Sequence, residues 1–312
     1  MKERISLAAV LASLATVGIG SAQATENGLV NYPIGVNTVL DGVLPAPGDT
    51  RFYNYTQYYV AHKFAGGKGD SAVPGFRSSA FVDAPRVVHT WNTTLGPFTL
   101  SSGLIATIFH LKLDTPGGNG TRSAFGDTIV QPLMLGYVNR SHSFFAFLTN
   151  DVALPTGAYK ADRVANTGLN TYAWMPSLNV TWFPAPAWEL SGMALVELNS
   201  PNHATNYHSG AVAAFDWLVG YAVTKQVQLG VQGFYLKQFT DDTVNGQSVN
   251  ENGFRGQAVG IGPQVRWEWR PGSSVVLKIP ARAGRAQIAR RASEIWLESQ
   301  RTSLAPAMRA AP

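Results

Sequence analysis

The stretch Gly256–Arg270 reads GQAVGIGPQVRWEWR, and its side chains sort by parity. Val259, Ile261, Pro263, Val265, Trp267 and Trp269 fall on one face of an extended chain, while Gly260, Gly262, Gln264, Arg266, Glu268 and Arg270 fall on the other. Successive side chains of a strand point to opposite faces, so this is a strand with one apolar and one polar side. Three further stretches repeat the pattern. In 226–236, Val227, Leu229, Val231 and Tyr235 oppose Gln226, Gln228, Gly230 and Gln232. In 188–198, Trp188, Leu190, Ala194, Val196 and Leu198 oppose Glu189, Ser191 and Glu197. In 209–221, Ala211, Ala213, Phe215, Trp217, Val219 and Tyr221 oppose Gly210, Asp216 and Gly220. Each run exceeds the roughly five or six residues of an ordinary strand. Each also suits the about 9–11 residues that a tilted strand needs to cross a bilayer.

Working outward, less regular strands are expected at 51–64, 76–91, 98–111, 127–138, 143–153 and 172–183. Ser274–Ile279 and Ser293–Glu298 bring the number to twelve, an even count with both ends on one side. The connections alternate strictly. Segments 65–75, 112–126, 154–171, 199–208 and 239–255 are long; 92–97, 139–142, 184–187, 223–225 and 271–273 are short. Short periplasmic turns and long extracellular loops characterise outer-membrane barrels, whereas a soluble sandwich gives no such rhythm. Trp182, Trp188, Tyr221, Trp267 and Trp269 flank the short turns, where an interfacial aromatic girdle belongs. The expectation is an all-β, transmembrane antiparallel β-barrel of about twelve strands.

Composition agrees. Only 14% of the 312 residues are charged, against about 25% in soluble domains, while 31 Gly and 18 Pro argue against long helices. The absence of cysteine excludes a disulfide scaffold and thiolate chemistry. The net charge of +5 comes from the C-terminal stretch: residues 25–270 carry 15 basic and 16 acidic side chains, which offers no nucleic-acid-binding face. Lys2 and Arg4, the apolar run Ile5–Ile19 and Ala22-Gln23-Ala24 read as an export signal cut after Ala24. The expected organisation is a signal peptide at 1–24, an N-terminal leader or lumenal plug at 25–50, a barrel at 51–300 and a tail at 301–312. Gly28–Gly48, punctuated by Tyr32-Pro33, Leu44-Pro45 and Pro47-Gly48, is either folded into the barrel mouth or a disordered leader.

The polar faces carry the functional information. Glu189, Glu197, Asp216, Gln226, Gln228, Gln232, Gln264, Arg266 and Glu268 are candidates for lining a lumen. A charge on the lipid side would cost about 2–4 kcal/mol at midplane, whereas an aqueous or partnered interior tolerates it. Such an interior is either a passage, a plugged passage or a closed salt-bridged core. Tyr159, Asn166, Asn170, Trp174, Asp241 and Asp242, within 154–174 and 239–246, are candidates for the extracellular mouth. His62, His89, His110, His142, His203 and His208 lack metal-ligand spacing, and no nucleophile elbow or phosphate loop occurs. No catalytic residue, metal or cofactor is expected. A barrel-embedded acyl hydrolase is the weaker alternative, since the adjacent His208 and Ser209 point to opposite faces and His203 and Thr205 fall in a loop.

Many of these residues recur in a known order. Tyr32-Pro33, Gly35, Leu44-Pro45, Pro47-Gly48, Asn54-Tyr55 and Tyr58-Tyr59 are followed by Pro85-Arg86, Gly126-Asp127, Pro132 and Leu135-Gly136. Pro155-Thr156-Gly157-x-Tyr159, Asn166, Gly168, Asn170 and Trp174 lead to Thr205, Tyr207-x-Ser209-Gly210, Asp216 and Gly220-Tyr221. Gly233, Tyr235, Gln238-x-Thr240-Asp241-Asp242, Gly246 and Gly262-Pro263 complete the series. In this the sequence resembles the outer-membrane proteins of the phenol meta-cleavage (MetA) pathway, the SphA-like group. The resemblance implies a barrel of about twelve strands that helps aromatic and other hydrophobic compounds cross the outer membrane. It implies no catalytic residues. The pattern fades after about Leu277, and the chain ends Ala310-Ala311-Pro312 where such barrels close on a strand ending in Phe or Trp.

The functional expectation is therefore an outer-membrane channel for passive uptake of small hydrophobic or aromatic solutes. Its partners are outer-membrane lipid and lipopolysaccharide and those solutes, with no nucleic acid. A closed structural barrel is the alternative from a different class.

Overall fold

The computed structural model describes residues 30–64, 71, 73–249, 253–285 and 292–302. The expected signal peptide, and the tail beyond Thr302, lie outside them. Among the described residues twelve antiparallel strands form the wall. They are β1 (Thr50–Ala61), β2 (Arg77–Leu95), β3 (Phe98–Ile105, resuming at Ile108–Thr115) and β4 (Gly118–Phe125, resuming at Thr128–Val138). Then come β5 (Phe144–Leu154), β6 (Ala173–Trp182), β7 (Trp188–Asn199) and β8 (Val212–Ala222). The last are β9 (Val227–Gln238), β10 (Gln257–Arg270), β11 (Ser273–Lys278, resuming at Ala281–Arg285) and β12 (Ala292–Thr302).

Each strand pairs with its sequence neighbours, and the ring closes. β1 bonds β2 along one edge, from Thr50↔His89 to Ala61↔Ser78, and β12 along the other, from Arg51↔Thr302 to Ala61↔Ala292. No hydrogen-bonding edge is left within the ring, as hydrocarbon demands. The departure from the family-like pattern after Leu277 thus does not prevent closure. Among the described residues no helix is long and apolar enough to cross a membrane.

Short turns lie at 96–97, 139–143, 183–187, 223–226 and 271–272, all at one end. One expected long loop is different. Most of 112–126 is a hairpin, with β3 and β4 paired from Ile108↔Phe125 to Thr115↔Gly118 around Pro116-Gly117. In its first arm Phe109, Leu111 and Leu113 share the more sheltered face while Ile108, His110 and Lys112 are exposed, and Gly118–Ser123 of the second arm carries no large apolar side chain. Two of the breaks in the ladder lie at proline. At Ile279-Pro280 β11 is interrupted where Pro280 lacks a donor. Around Pro132 the register of β4 shifts against both β3 and β5, and Ser102 Oγ donates to the Pro132 carbonyl at 2.8 Å.

The two faces meet different media. Val259, Ile261, Val265, Trp267 and Trp269 of β10 point outward and are exposed, as are Leu229, Val231 and Tyr235 of β9. Near the short turns, Trp188 packs on Tyr221 with ring centroids 5.0 Å apart, and Trp267 on Trp269 at 6.0 Å. The inner face is not purely polar. Val88, Met134, Phe147, Met175, Met193, Leu195, Val212, Phe234 and Leu236 enclose Tyr32, Ile34 and Val36 in one apolar cluster inside the ring. The occupant is the chain's own residues 30–49.

An arginine in place of Val231, which is 47% exposed on the lipid side, is expected to destabilise the barrel by about 2–4 kcal/mol. A lower urea midpoint for the heat-modifiable gel band in vesicles checks this; an unchanged midpoint would mean that this face does not meet hydrocarbon.

Candidate lumenal site

Residues 30–49 form no strand beyond their last step into β1, so their amides need acceptors other than a ladder. The inward carboxylates supply them. Followed backward from β1, the segment starts at the short-turn end, where Gly48 N–H donates to Thr90 O and Thr90 N–H to Asp49 O. Gly42 N–H donates to Thr181 Oγ1 beside the 183–187 turn, at 2.9 Å, and Leu40 N–H to Glu189 Oε1 at 2.6 Å. Thr38 Oγ1 donates to Gln264 Oε1 at 2.9 Å, and Lys278 Nζ to Val36 O at 2.6 Å. At mid-height, Asp216 Oδ2 accepts from Gly35 N–H at 2.8 Å, Asn37 N–H at 3.2 Å and the Tyr32 hydroxyl. Near the far end of β7, Glu197 accepts from Asn31 N–H at 3.0 Å and Tyr32 N–H at 3.1 Å. The segment therefore traverses the lumen from the short-turn end to the long-loop end, bonded along β6–β11.

Two glycines permit the close fit. Gly35 has φ +86°, and a Cβ there would lie 3.0 Å from the Phe234 ring. At Gly42 a Cβ would come within 2.5 Å of Phe145 O and Thr181 N, so backbone meets backbone.

Among the lumen candidates, Glu189, Glu197, Asp216, Gln228, Gln232 and Gln264 are buried on the inner face. Gln228 Nε2 donates to Glu189 Oε2 at 2.7 Å, and the Gln232 amide has no partner among the described residues. Arg266 and Glu268 form an ion pair at 2.8 Å close to the short-turn rim. Gln226 departs from the expectation. It sits exposed in the 223–226 turn, because β9 begins only at Val227.

The opposite wall was not legible as a site. Arg86 of β2 donates through Nε to Gln131 Oε1 at 2.7 Å, and Gln131 Nε2 donates to Asp151 Oδ2 at 2.8 Å. Thr149 Oγ1 donates to the other oxygen of Asp151. The Tyr53 and Tyr55 rings stack with centroids 6.3 Å apart and planes 5° from parallel, and the Arg86 guanidinium carbon lies 5.3 Å from the Tyr53 centroid. A cavity of about 20 Å³ separates this wall from residues 36–44, lined by Tyr53, Tyr55, Arg86 and Phe147. The available signal was parity: Ala84, Arg86 and Val88 alternate with Asp83, Pro85 and Val87, but Asp83 breaks the apolar face. Asp83 faces outward, bonded by Asn54 Nδ2 at 2.7 Å and Thr56 Oγ1 at 2.8 Å.

At the long-loop end the mouth is built by carboxylates that gather backbone donors. Asp127 accepts from Gly157 N–H at 2.8 Å and Leu169 N–H at 2.7 Å, pinning loop 155–172 to the rim. Burial pushes its carboxyl above the ordinary range, with those bonds pulling the other way. Asn166 closes a turn within that loop through Lys160 and Arg163. Asn170 Nδ2 donates to Asn202 Oδ1, and Asn202 Nδ2 to Tyr159 Oη, both at 2.8 Å. Asp242 accepts from the Tyr207 hydroxyl, Gly210 N–H and Gln238 Nε2, tying loop 200–211 to loop 239–256. Asp241 pairs with Arg255 at 2.5 Å. Trp174 is not a loop residue: it lies on β6, facing outward, with Nε1 donating to Asn150 Oδ1 at 3.2 Å.

Two histidine–hydroxyl pairs join neighbouring strands, one of them across the hairpin that was expected to be a loop. His110 Nδ1 and Ser123 Oγ are 2.7 Å apart across the hairpin, and Thr50 Oγ1 and His89 Nδ1 are 2.9 Å apart. Among the described residues no carboxylate or amide bonds the second nitrogen of either ring, so neither has the oriented base of a hydrolytic triad. His208 Nε2 is 2.8 Å from Asn199 O, so its ring contacts backbone.

The profile of the family described as "Putative MetA-pathway of phenol degradation" matches residues 61–287. A crystal structure of an outer membrane channel from Pseudomonas putida F1 is similar to this chain, with a TM-score of 0.72, 14% identity, and coverage of 84% of this chain and 97% of that one. The β domain of the Bordetella autotransporter BrkA is also similar, with a TM-score of 0.51, 13% identity, and coverage of 82% and 100%. At these identities the likeness is one of fold: an outer-membrane β-barrel. No curated protein matches the chain.

Replacing Asp216 by Ala leaves the Gly35 and Asn37 amides and the Tyr32 hydroxyl without their acceptor, at about 1–3 kcal/mol for each buried donor. Residues 30–49 are then expected to become cleavable by added protease while the heat-modifiable barrel persists; equal resistance in both proteins would refute this anchoring. Bonds from Ser248 and Arg255 hold Asp241 below its ordinary value of 3.8. A depressed carboxylate stabilises above the unfolded value and loses that contribution as pH falls through the folded one. Nitroxide labels on loop 239–256 should therefore gain mobility only below about pH 4, and an Asp241→Asn variant should be mobile already at neutral pH.

Proposed function

The chain belongs to the outer-membrane family of the MetA pathway of phenol degradation, and from that premise we propose that it conducts small hydrophobic and aromatic solutes inward by passive diffusion. The lipopolysaccharide leaflet is a poor route for such molecules. A partly apolar passage through a barrel lowers that barrier without energy coupling.

The observation that carries the reading is the asymmetry of the interior. Residues 31–42 bond to carboxylates, one hydroxyl and an amide on β6–β10 and to Lys278 of β11. Toward β1, β2 and β5 the same segment meets Tyr53, Tyr55, Arg86 and Phe147 across a small cavity. A solute path along that second wall needs only a displacement of residues 40–44, not a rearrangement of the barrel. The segment acts as a plug, loops 154–174 and 239–246 frame the extracellular mouth, and Glu189, Glu197 and Asp216 hold the plug rather than contact solute. Export depends on the signal ending at Ala24. The protein performs no chemistry on its cargo.

The filled lumen favours one second reading, a closed barrel with a purely structural role. Planar-bilayer recording separates the two. Removing residues 30–44 is expected to convert small or rare steps into stable, larger conductance; silence from both proteins would establish the structural reading. In cells, loss of the gene should slow growth on dilute aromatic carbon sources and leave growth on succinate unchanged, and equal growth on both would count against uptake.

A further inference from the structure

We propose that Arg86, with Tyr53, Tyr55 and Phe147, forms a recognition point for aromatic rings that bear an acidic or hydroxyl oxygen, and that it discriminates them from plain aromatic hydrocarbons. The proposal rests on the uptake reading for its class of ligand, but it concerns a binding site that exists whether or not transport follows.

The guanidinium has unspent donors. Only Nε makes a short bond, at 2.7 Å to Gln131. The terminal nitrogens reach the Tyr55 hydroxyl at 3.5 Å and the Met134 sulfur at 3.9 Å. A charge-assisted bond to oxygen runs about 2.7–2.9 Å, so both contacts are far weaker than an oxyanion would give. The nearest carboxylate does not fill the gap, because Asp151 is bonded by Gln131 and Thr149. It acts through Gln131, orienting the amide that fixes Arg86 Nε. A guanidinium inside a barrel whose terminal nitrogens lack a short oxygen partner is costly, and an arriving oxygen recovers that cost.

The surroundings select the rest of the ligand. Tyr53 is 6% exposed, Tyr55 7% and Phe147 4%, so the half-buried Arg86 side chain lies among buried rings. The cavity, at about 20 Å³, admits one water and no ring. Its far side is residues 36–44, whose Leu40 and Gly42 amides bond to β7 and β6. A ring therefore enters as Leu40–Leu44 yields toward β6, with its oxygen on Arg86 and its faces among Tyr55, Phe147 and Leu44. A hydrocarbon of the same size gains the apolar contacts but leaves the guanidinium unanswered, and a site built to bond an oxygen rejects the analogue lacking it.

Equilibrium binding to the full-length protein in detergent tests this, with 4-nitrophenolate as the chromophoric probe and phenol, benzoate and toluene as competitors. Wild type should bind the probe, with phenol or benzoate displacing it at least about tenfold more effectively than toluene. Arg86→Met should lose about tenfold or more in probe affinity and abolish that preference. Arg86→Lys, which keeps the charge against Asp151, should retain part of it, and Phe147→Trp should weaken all ligands by filling the cavity. Heat-modifiable migration verifies that each variant is folded. Probe binding that is absent in wild type, or unchanged in both Arg86 variants, overturns the proposal. Arg86-dependent binding in a protein that conducts nothing would uphold the site and defeat the channel; conduction without Arg86 dependence would do the reverse.

Discussion

The constraint on which the rest depends is that hydrocarbon supplies no hydrogen-bond partner, so the ladder must return to its start. It does so through β1, which bonds β2 on one edge and β12 on the other. Closure makes an inside, and an inside of twelve strands is wide enough to need filling. The apolar outer face is satisfied by lipid alone. The inner face must find its own partners, and in this chain they come from the residues immediately before the first strand.

Strand periodicity reads the medium a strand faces as much as the strand itself. β7–β10 were legible because lipid demanded an unbroken apolar parity on their outer side, and the polar remainder, Glu189, Asp216 and Gln264, could be read off by subtraction. The hairpin Ile108–Phe125 was not, because polar His110 and Lys112 stand on its exposed face and Gly118–Ser123 offers no large apolar side chain to mark a strand. Arg86 escaped for a related reason: Asp83 and Pro85 on the outward face of β2 disrupt the parity that would have sent Arg86 inward. Residues 30–49 have no period at all, since their partners are carboxylates spread over β7 and β8, and no local pattern encodes an acceptor contributed from about 150 or more positions away.

The inner wall divides the work. Along β6–β10, Thr181, Glu189, Glu197, Asp216 and Gln264 accept bonds from the segment and hold it. Along β1, β2, β4 and β5 they form a chain of their own, Arg86 to Gln131 to Asp151 to Thr149, which leaves aromatic surface and part of a guanidinium facing the segment. The loops obey the same chemistry as the anchor wall. Asp127 and Asp242 each collect donors from other loops, so the mouth is a set of short, individually tied pieces rather than a single lid.

Holding a lumenal segment by carboxylate-to-amide bonds has a consequence that an apolar plug would not share. When an apolar plug leaves, both surfaces meet water and the full area term is lost, at about 25 cal/mol per Å². When the segment here leaves Glu197, Asp216 and Glu189, each freed carboxylate and each freed amide is taken up by water, and such an exchange costs only about 0.5–1.5 kcal/mol per bond. Tyr32, Ile34 and Val36, packed into the apolar cluster, carry the larger penalty. Residues 37–44 are held by a second, smaller cluster: Val39 is buried with Leu218 and Val276, Leu40 packs against them, and Leu44 packs against the edge of the first cluster. The segment is thus held at two places by packing as well as by hydrogen bonds, around Tyr32, Ile34 and Val36 beside Asp216 and around Val39 beside Leu218 and Val276, so the area term resists its departure at both.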